Sequence, residues 1–316
     1  MTTSIYAVIG SGYMGGGIAQ CLALSGADVR IADVSLDIAS ANRERLIAEA
    51  EQFVADELFP AGAAEIIAER VTAVTVEEAA AEASFIEEAV PEKIEIKHET
   101  LRRISRSAAP DAIIGSNTST ILISRLAEAV EHPERFLGVH FSNPAPFIPG
   151  VELIPHAGTD RAILPTVEAI VAATGKQTAR ITDSTGFVLN RLQYALFHEA
   201  TQLVEEGVAS AEDIDTIVRT TFGFRLPFFG PFAIADMAGL DVYAFCYASL
   251  QTRWPERFAT PNSLAELVSE GKFGTKSGAG YLDVPAERTA ELVAYRNRAY
   301  VAMQKLIDEL GPAPIH

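Results

Sequence analysis

The chain has 316 residues, 48% hydrophobic and 21% charged, enough for one large or two ordinary soluble domains with a sizeable core. Its formal net charge of -17 sets the surface against phosphate backbones and anionic lipid, so neither nucleic acid nor a membrane is expected as a partner. Cys21 and Cys246 are the only cysteines and make no disulfide framework, so a cytoplasmic protein is expected.

Ile5-Tyr-Ala-Val-Ile9 is short, apolar and stops at glycine, which predicts a strand buried on both faces of a parallel sheet rather than a secretory leader. No later apolar run is long enough to span a bilayer. Met14–Leu24 predicts a helix with small residues on its first turns, ended by Gly26. Val29–Asp33 predicts the second strand. A helical pattern then runs from Leu36 to Arg70, broken at Phe59-Pro60-Ala61-Gly62. Val71–Val74, Phe85–Glu88, Ala112–Gly115 and Leu137–His140 predict further strands, and Val151–Ile154 and Thr178–Ile181 extend the sheet. Helical patterns lie between most of them, including Val76–Ala83 as a solvated helix. The alternation predicts an α/β, doubly wound, mainly parallel sheet. From Gly186 the helical period dominates, over Val188–Glu206, Ser210–Thr220, Pro231–Ser249, Ser263–Glu270 and Ala286–Leu310, with one short strand end at Gly280–Leu282. Two domains follow: an α/β domain over 1–185 and an all-α domain over 186–316.

Gly10-Ser-Gly12-Tyr13-Met14-Gly15 lies between the first strand and the first helix. Three glycines alone also mark ordinary turns. Here the second strand ends at an acid, Asp33, where a Rossmann-like dinucleotide site requires one. Gly10 permits the tight turn, Gly12 lets the backbone approach a pyrophosphate, and Gly15 allows close packing of helix on strand. Free N–H groups and the helix dipole favour the phosphates. Asp33 would accept from the ribose hydroxyls, and Val34, Ser35 and Leu36 offer no cation for a 2′-phosphate, so NAD is favoured over NADP.

His140 ends a predicted strand, where ligands of such sheets bind, and Asn143-Pro144 follow it. Glu152 sits in an apolar strand and needs a partner to be tolerated there. An imidazole is a fitting one: the carboxylate would fix its tautomer and strengthen it as a base. Asn190, in Gly186-Phe-Val-Leu-Asn190-Arg191, either holds a substrate oxygen or caps a helix. Ser116-Asn-Thr-Ser119 follows another strand and either faces the nicotinamide and substrate or caps a helix. The His140 cluster suits proton removal from an alcohol, and with the glycine turn it suggests hydride transfer to a nicotinamide. His98 and His156 have no ligand-spaced partners, so no metal site is expected.

These segments, together with Pro91-Glu92-Lys-Ile-Glu-Ile-Lys97, Gly230-Pro231 and Lys276-Ser-Gly-Ala-Gly280, resemble in order and spacing the 3-hydroxyacyl-CoA dehydrogenase superfamily over essentially the whole chain. The resemblance implies that His140 is the general base, Glu152 its partner, and Ser119 and Asn190 the residues that orient the substrate oxygen. It also implies that Asp33, Glu92, Lys97, Ser119, Asn143 and Lys276 contact NAD, and that the helical domain supplies a homodimer interface. The hydroxyl proton would go to His140 as the carbinol hydride moves to the nicotinamide.

The acyl-CoA enzymes of that superfamily typically carry lysines in the helical hairpin after the second strand. In Leu36–Arg70 there are eight acidic residues and only Arg43, Arg45 and Arg70 as basic ones, a poor surface for a polyanion. Glu88-Ala-Val-Pro91-Glu92, Ile148–His156, Phe187–Tyr194 and Phe222–Gly230 resemble instead the branch acting on small free hydroxy acids, which includes gulonate dehydrogenase with lambda-crystallin and a pyridine-carboxylate dehydrogenase. Arg225 would pair a substrate carboxylate there, or else make a surface ion pair. Pro231–Asp241 looks more like the acyl-CoA enzymes, a flavour that the pyridine-carboxylate enzyme shares. Phe222, Phe224, Phe228, Phe229 and Phe232 line either an apolar substrate pocket or an interface. We therefore expect an NAD-dependent dehydrogenase that oxidises an alcohol near a carboxyl or thioester group, a free acid being favoured over 3-hydroxyacyl-CoA. A non-catalytic crystallin-like protein and an NAD-sensing module are the alternatives from other classes.

Overall fold

The computed structural model describes residues 4–314. The strands are β1 (Ile5–Ile9), β2 (Asp28–Ala32), β3 (Val71–Ala73), β4 (Phe85–Glu88), β5 (Ile113–Ser116), β6 (Phe136–Phe141), β7 (Gly150–Pro155) and β8 (Gln177–Arg180). They form one sheet in the order β3-β2-β1-β4-β5-β6-β7-β8. All neighbours are parallel except β6 and β7, which run antiparallel. The helices among them are α1 (Tyr13–Leu24), α2 (Leu36–Ala55), α3 (Ala63–Arg70), α4 (Val76–Glu82), α5 (Ile94–Ser107), α6 (Ile123–Ala127) and α7 (Leu164–Ala173).

Side chains alternate across each strand, so the sheet buries two apolar faces. Val8, Val29, Ile31 and Val139 point to one face and pack with Ile18 and Leu22 of α1, Leu46 of α2 and Val167 of α7. Ala7, Ile9, Ile86 and Ile114 point to the other and pack with Ala79 of α4, Leu101 of α5 and Leu126 of α6. This is the doubly wound arrangement that the strand–helix alternation predicts. Strand order reverses between β1 and β4, the position where such sheets open a ligand crevice.

The remaining helices are α8 (Leu189–Glu205), α9 (Ala211–Thr220), α10 (Phe222–Arg225), α11 (Pro231–Ala238), α12 (Leu240–Arg253), α13 (Asn262–Ser269) and α14 (Thr289–Leu310). The chain packs as two compact units, Met1–Leu196 and Phe197–His316. Residues 186–196 go with the sheet because Phe187 is buried in its core and the N–H groups of Val188 and Leu189 are bound by Glu152. The second unit has a small core of Ala235, Leu240 and Leu264 flanked by Tyr243, Tyr247 and Tyr281.

Two expectations are corrected here. Pro231–Ser249 is not one helix: α11 and α12 meet at Gly239, whose φ of 104° lies outside the helical region, and they bend by 100°. Gly280–Leu282 is not a strand. The N–H groups of Tyr281 and Leu282 are taken by the Asp236 carboxylate instead of a neighbouring strand. Among the described residues no single helix is long and apolar enough to cross a membrane; the bent pair α11–α12 passes only when its two helices are counted together.

Candidate active site

The dinucleotide turn is built as the glycines require. Gly10 has φ 97°, and a Cβ on it would press on the Ala89 carbonyl at the end of β4, so the turns after β1 and β4 touch across the switch point. A Cβ on Gly15 would overlap the Gly10 carbonyl. At Gly12 a Cβ would meet nothing, and no side chain caps α1, so the space at the helix N-terminus is open to a pyrophosphate. Tyr13 and Met14 form the first turn behind it. Asp33 accepts from Ser11 N–H and Oγ–H at 2.8 Å each and from Val34 N–H at 2.8 Å. A carboxylate has roughly four acceptor positions, so capacity remains for a ribose hydroxyl. These residues fit NAD.

His140 of β6 and Glu152 of β7 are direct partners in the antiparallel register. His140 Nδ1 lies 2.8 Å from Glu152 Oε2, and both side chains are largely buried. The other oxygen, Oε1, accepts from Val188 N–H at 3.0 Å and Leu189 N–H at 2.9 Å. Burial pushes the Glu152 carboxyl up, but the hydrogen bond from His140 and those from Leu189 and Val188 outweigh it and hold the group below the usual carboxylate range. An ionised carboxylate only accepts, so the Nδ1 atom carries the ring proton and Nε2 presents its lone pair. Ser119 Oγ lies 3.1 Å from Nε2 and, in that tautomer, donates to it. The Phe187 ring, 5.7 Å from the imidazole, covers one flank. Asn190 donates from Nδ2 to the Ser119 carbonyl at 2.8 Å. The amide thereby holds the Ser119 loop.

Behind this site lies a second polar layer. Glu92 Oε1 accepts from Thr118 Oγ1, Ser119 N–H, Thr120 N–H and Thr120 Oγ1 at 2.7–3.0 Å. Burial raises its carboxyl, yet the Thr118 and Thr120 donors and the Lys97 charge prevail and hold it low. Lys97 is fully buried. Its Nζ sits 2.8 Å from Glu88 Oε1, 3.1 Å from the Val90 carbonyl and 3.5 Å from Glu92. Ser116 Oγ donates to Glu88 Oε2 at 2.6 Å, and Asn117 Oδ1 accepts from Phe141 N–H at 2.7 Å. The Ser116–Ser119 segment therefore caps no helix. That task falls to Asp183, whose carboxylate takes Ile123 N–H and Ser124 N–H of α6 at 2.9 Å each. Asn143 is exposed just past β6.

Lys276 and Arg225 belong to the second unit. Lys276 Nζ lies 2.8 and 3.1 Å from the two oxygens of Asp241, and that hydrogen bond lowers the Asp241 carboxyl. The Lys276 loop is folded around Asp236, which is buried. The Asp236 carboxylate takes Tyr281 N–H and Leu282 N–H, and its carbonyl takes Thr275 N–H. Among the described residues Arg225 makes no carboxylate pair, and its buried Nε has no hydrogen-bond partner. Phe224, Phe228 and Phe229 pack on Tyr300, and Phe232 packs on Tyr281.

Sequence reasoning gave no role to Glu88, Asp183 or Asp236. Glu88 carried the signal that singled out Glu152, a carboxylate inside an apolar strand. Asp183 and Asp236 hold N–H groups 45–60 residues away, which no local pattern reveals. Among the described residues no group of three or more His, Cys, Asp or Glu side chains is placed to hold a metal ion.

Comparison with known proteins agrees with this geometry. The family model of the 3-hydroxyacyl-CoA dehydrogenase NAD binding domain matches residues 6–184, and that of the 3-hydroxyacyl-CoA dehydrogenase C-terminal domain matches 186–284. The chain is 36% identical over 307 residues to a 5-formyl-3-hydroxy-2-methylpyridine 4-carboxylate 5-dehydrogenase of Mesorhizobium japonicum, covering 96% of this chain and 97% of that one. It is 33% identical over 280 residues to a 3-hydroxybutyryl-CoA dehydrogenase of Bradyrhizobium diazoefficiens, covering 87% and 94%. The crystal structure of a 3-hydroxyacyl-CoA dehydrogenase from Archaeoglobus fulgidus is similar with a TM-score of 0.80 at 31% identity, covering 98% and 99%. The turn that fits a dinucleotide and the paired domain models together place this chain in the 3-hydroxyacyl-CoA dehydrogenase family, as an NAD-dependent oxidoreductase acting on a CH–OH group.

Proposed function

We propose that this enzyme oxidises the alcohol of a small free hydroxy acid, with His140 as the base. NAD, when bound, supplies the hydride acceptor. The chain's own residues handle the proton. Glu152 fixes the Nδ1–H tautomer, so the Nε2 lone pair is the one basic position facing Ser119. The substrate hydroxyl takes up the hydrogen bond that Ser119 makes there and delivers its proton to Nε2. Glu152, held ionised by α8, then stabilises the imidazolium. In the reverse direction the imidazolium returns the proton to the developing alkoxide. Ser119 and Asn190 orient the substrate oxygen, and Asp33, Glu92, Lys97, Asn143 and Lys276 serve the NAD site.

The observation that carries the free-acid reading is the fate of three arginines. Arg43 donates to the carbonyls of Val71 and Ala68, Arg45 to those of Ser11 and Gly12, and Arg70 to that of Gly26. Each also pairs with an acid: Glu44, Glu49 and Asp28 respectively. All three cations of the α2–α3 hairpin are thus spent on holding it to the sheet, and eight acids share the same stretch. A CoA polyphosphate would find no free cation there. The second reading, a 3-hydroxyacyl-CoA substrate, is favoured by the 3-hydroxybutyryl-CoA dehydrogenase relative.

The two free cysteines support a reducing cytoplasm, and Phe197, Phe245, Val301 and Leu310, all exposed on the second unit, support a homodimer. The test is NADH formation, followed by absorbance, with 3-hydroxybutyryl-CoA and longer homologues set beside gulonate, carnitine, 3-hydroxybutyrate and hydroxymethyl-pyridine carboxylates. Turnover of the free acids is the expected result. Turnover confined to the CoA thioesters would overturn the free-acid reading.

A further inference from the structure

The second unit contains a cavity of about 260 Å³ among α10, α11 and α14. Ile234, Met237 and Ala238 of α11 give it an apolar side, and Arg225 of α10 with Arg296 and Tyr300 of α14 give it a polar one. No Asp or Glu lines it. Neither arginine pairs with a carboxylate among the described residues. Arg296 Nε and a terminal nitrogen lie 3.1 and 2.9 Å from the neutral Asn297 Oδ1. Arg225 Nε is buried and has no acceptor among the described residues.

Arg43, Arg45, Arg70, Arg103, Arg180 and Arg257 meet acids. Arg225 lacks one and, among the described residues, also has a buried Nε without a hydrogen-bond partner. A guanidinium that lines a cavity and has no carboxylate partner in the fold can take one from a ligand, through two parallel oxygens. The wall is fixed in advance: the Tyr300 ring is braced by Phe224, Phe228 and Phe229 at centroid distances of 5.7, 6.2 and 6.3 Å. A braced wall loses little freedom when a ligand arrives. The volume lies just below the range of roughly 300–1,000 Å³ that drug-sized ligands occupy, which suits a small acid.

We propose that this cavity binds a small organic acid, one carboxylate on a short apolar or aromatic body, with Arg225 and Arg296 on the carboxylate and α11 under the body. The inference extends the free-acid reading of the substrate, and its test is made without NAD so that the two can fail separately. Calorimetric titration of the full chain would use benzoate, with benzamide as the neutral control of the same shape. Saturable benzoate binding is expected, with benzamide at least tenfold weaker. Arg225→Gln and Arg296→Gln should each weaken benzoate at least tenfold. Met237→Trp, which fills the apolar side and leaves both arginines in place, should abolish binding in a protein that still melts cooperatively. Absence of benzoate binding overturns the inference. So does equal affinity for benzamide, or unchanged benzoate affinity in the folded variants. Benzoate binding that follows this pattern in an enzyme turning over only CoA thioesters would sink the free-acid substrate and leave the cavity standing.

Discussion

Glu152 meets His140 directly across the one antiparallel pair in the sheet, Oε2 to Nδ1 at 2.8 Å, and gives its other oxygen to the N–H groups that open α8. One carboxylate therefore sets the tautomer of the imidazole and fixes where the chain leaves the sheet. Phe187, between the two, adopts φ 49°, a left-handed conformation that a bulky side chain rarely takes. Such a residue persists when its surroundings over-determine it, and here its ring is buried against the imidazole.

Glu152→Gln keeps the shape but offers an amide whose nitrogen cannot accept from Nδ1–H. The imidazole loses its enforced tautomer, and the imidazolium loses its counter-charge. We expect kcat to fall roughly a hundred- to ten-thousand-fold. NADH affinity should stay within a factor of about three, since the hydrogen-bond partners of Glu152 are His140, Val188 and Leu189, none of them in the glycine turn. Stopped-flow turnover and fluorescence titration of NADH separate the two effects. His140→Ala should lose turnover and still bind NADH; normal turnover in it would remove His140 from the mechanism.

Asp236 is a positioning residue for Lys276. Its carboxylate and carbonyl together take three N–H groups of the loop 275–282. If Lys276 serves NAD, Asp236→Asn and Lys276→Ala should both raise the KM for NAD, roughly tenfold or more for loss of a charge-assisted hydrogen bond. The kcat at saturating NAD should change much less. A fall in kcat with an unchanged KM would remove Lys276 from the cofactor site.

The sheet was legible because its signals are local: short, mostly apolar runs, the first ended by Gly10 and the second by Asp33. The dinucleotide turn and the His140–Glu152 pair were legible for the same reason, a polar residue where an apolar strand ends or where only a partner makes it tolerable. Contacts of long sequence separation were not. Asn190 reaches Ser119 across 71 residues, and Asp183 reaches α6 across 60. The strand expected at Gly280–Leu282 failed because Asp236, 45 residues earlier, claims its N–H groups. The bend at Gly239 was hidden because both flanking segments share one helical period.

Glu87 is fully buried on β4, neither oxygen has a hydrogen-bond partner among the described residues, and one oxygen fills the space that a Cβ on Gly115 would take. Burial, then the charge of Glu88, raises its carboxyl well above the usual range, with Lys97 opposing. Its folded state holds a proton that the unfolded chain gives up. Its contribution to stability therefore worsens as pH rises from the ordinary carboxylate range toward the raised value. Glu152 and Glu92 have the opposite sign: depressed in the fold, they stabilise above the ordinary range, and that contribution is lost as pH falls through their lowered values. Glu87→Val should stabilise the enzyme by about 1–3 kcal/mol at neutral pH, the cost of an unsatisfied buried group. The gain should shrink on acidification. Denaturant midpoints at several pH values check this, and a gain independent of pH would contradict the assignment.

Ser119 and Asn190 form a pair in which one residue acts through the other. Ser119 Oγ touches the imidazole at 3.1 Å, whereas the Asn190 amide touches the Ser119 carbonyl at 2.8 Å. Ser119→Ala removes the hydroxyl and leaves the loop anchored; Asn190→Ala leaves the hydroxyl and frees the loop. Each should lower kcat/KM, by roughly tenfold to a hundredfold for a hydrogen bond misplaced by about 1 Å. If Asn190 works only by placing Ser119, the double variant should be little worse than Ser119→Ala alone, giving a coupling energy of about 1–2 kcal/mol. If Asn190 also touches the substrate oxygen, the two losses should multiply. The cycle thus decides between a positioning role and a shared contact, and the pH profile of kcat/KM in each variant shows whether the imidazole still titrates as the base.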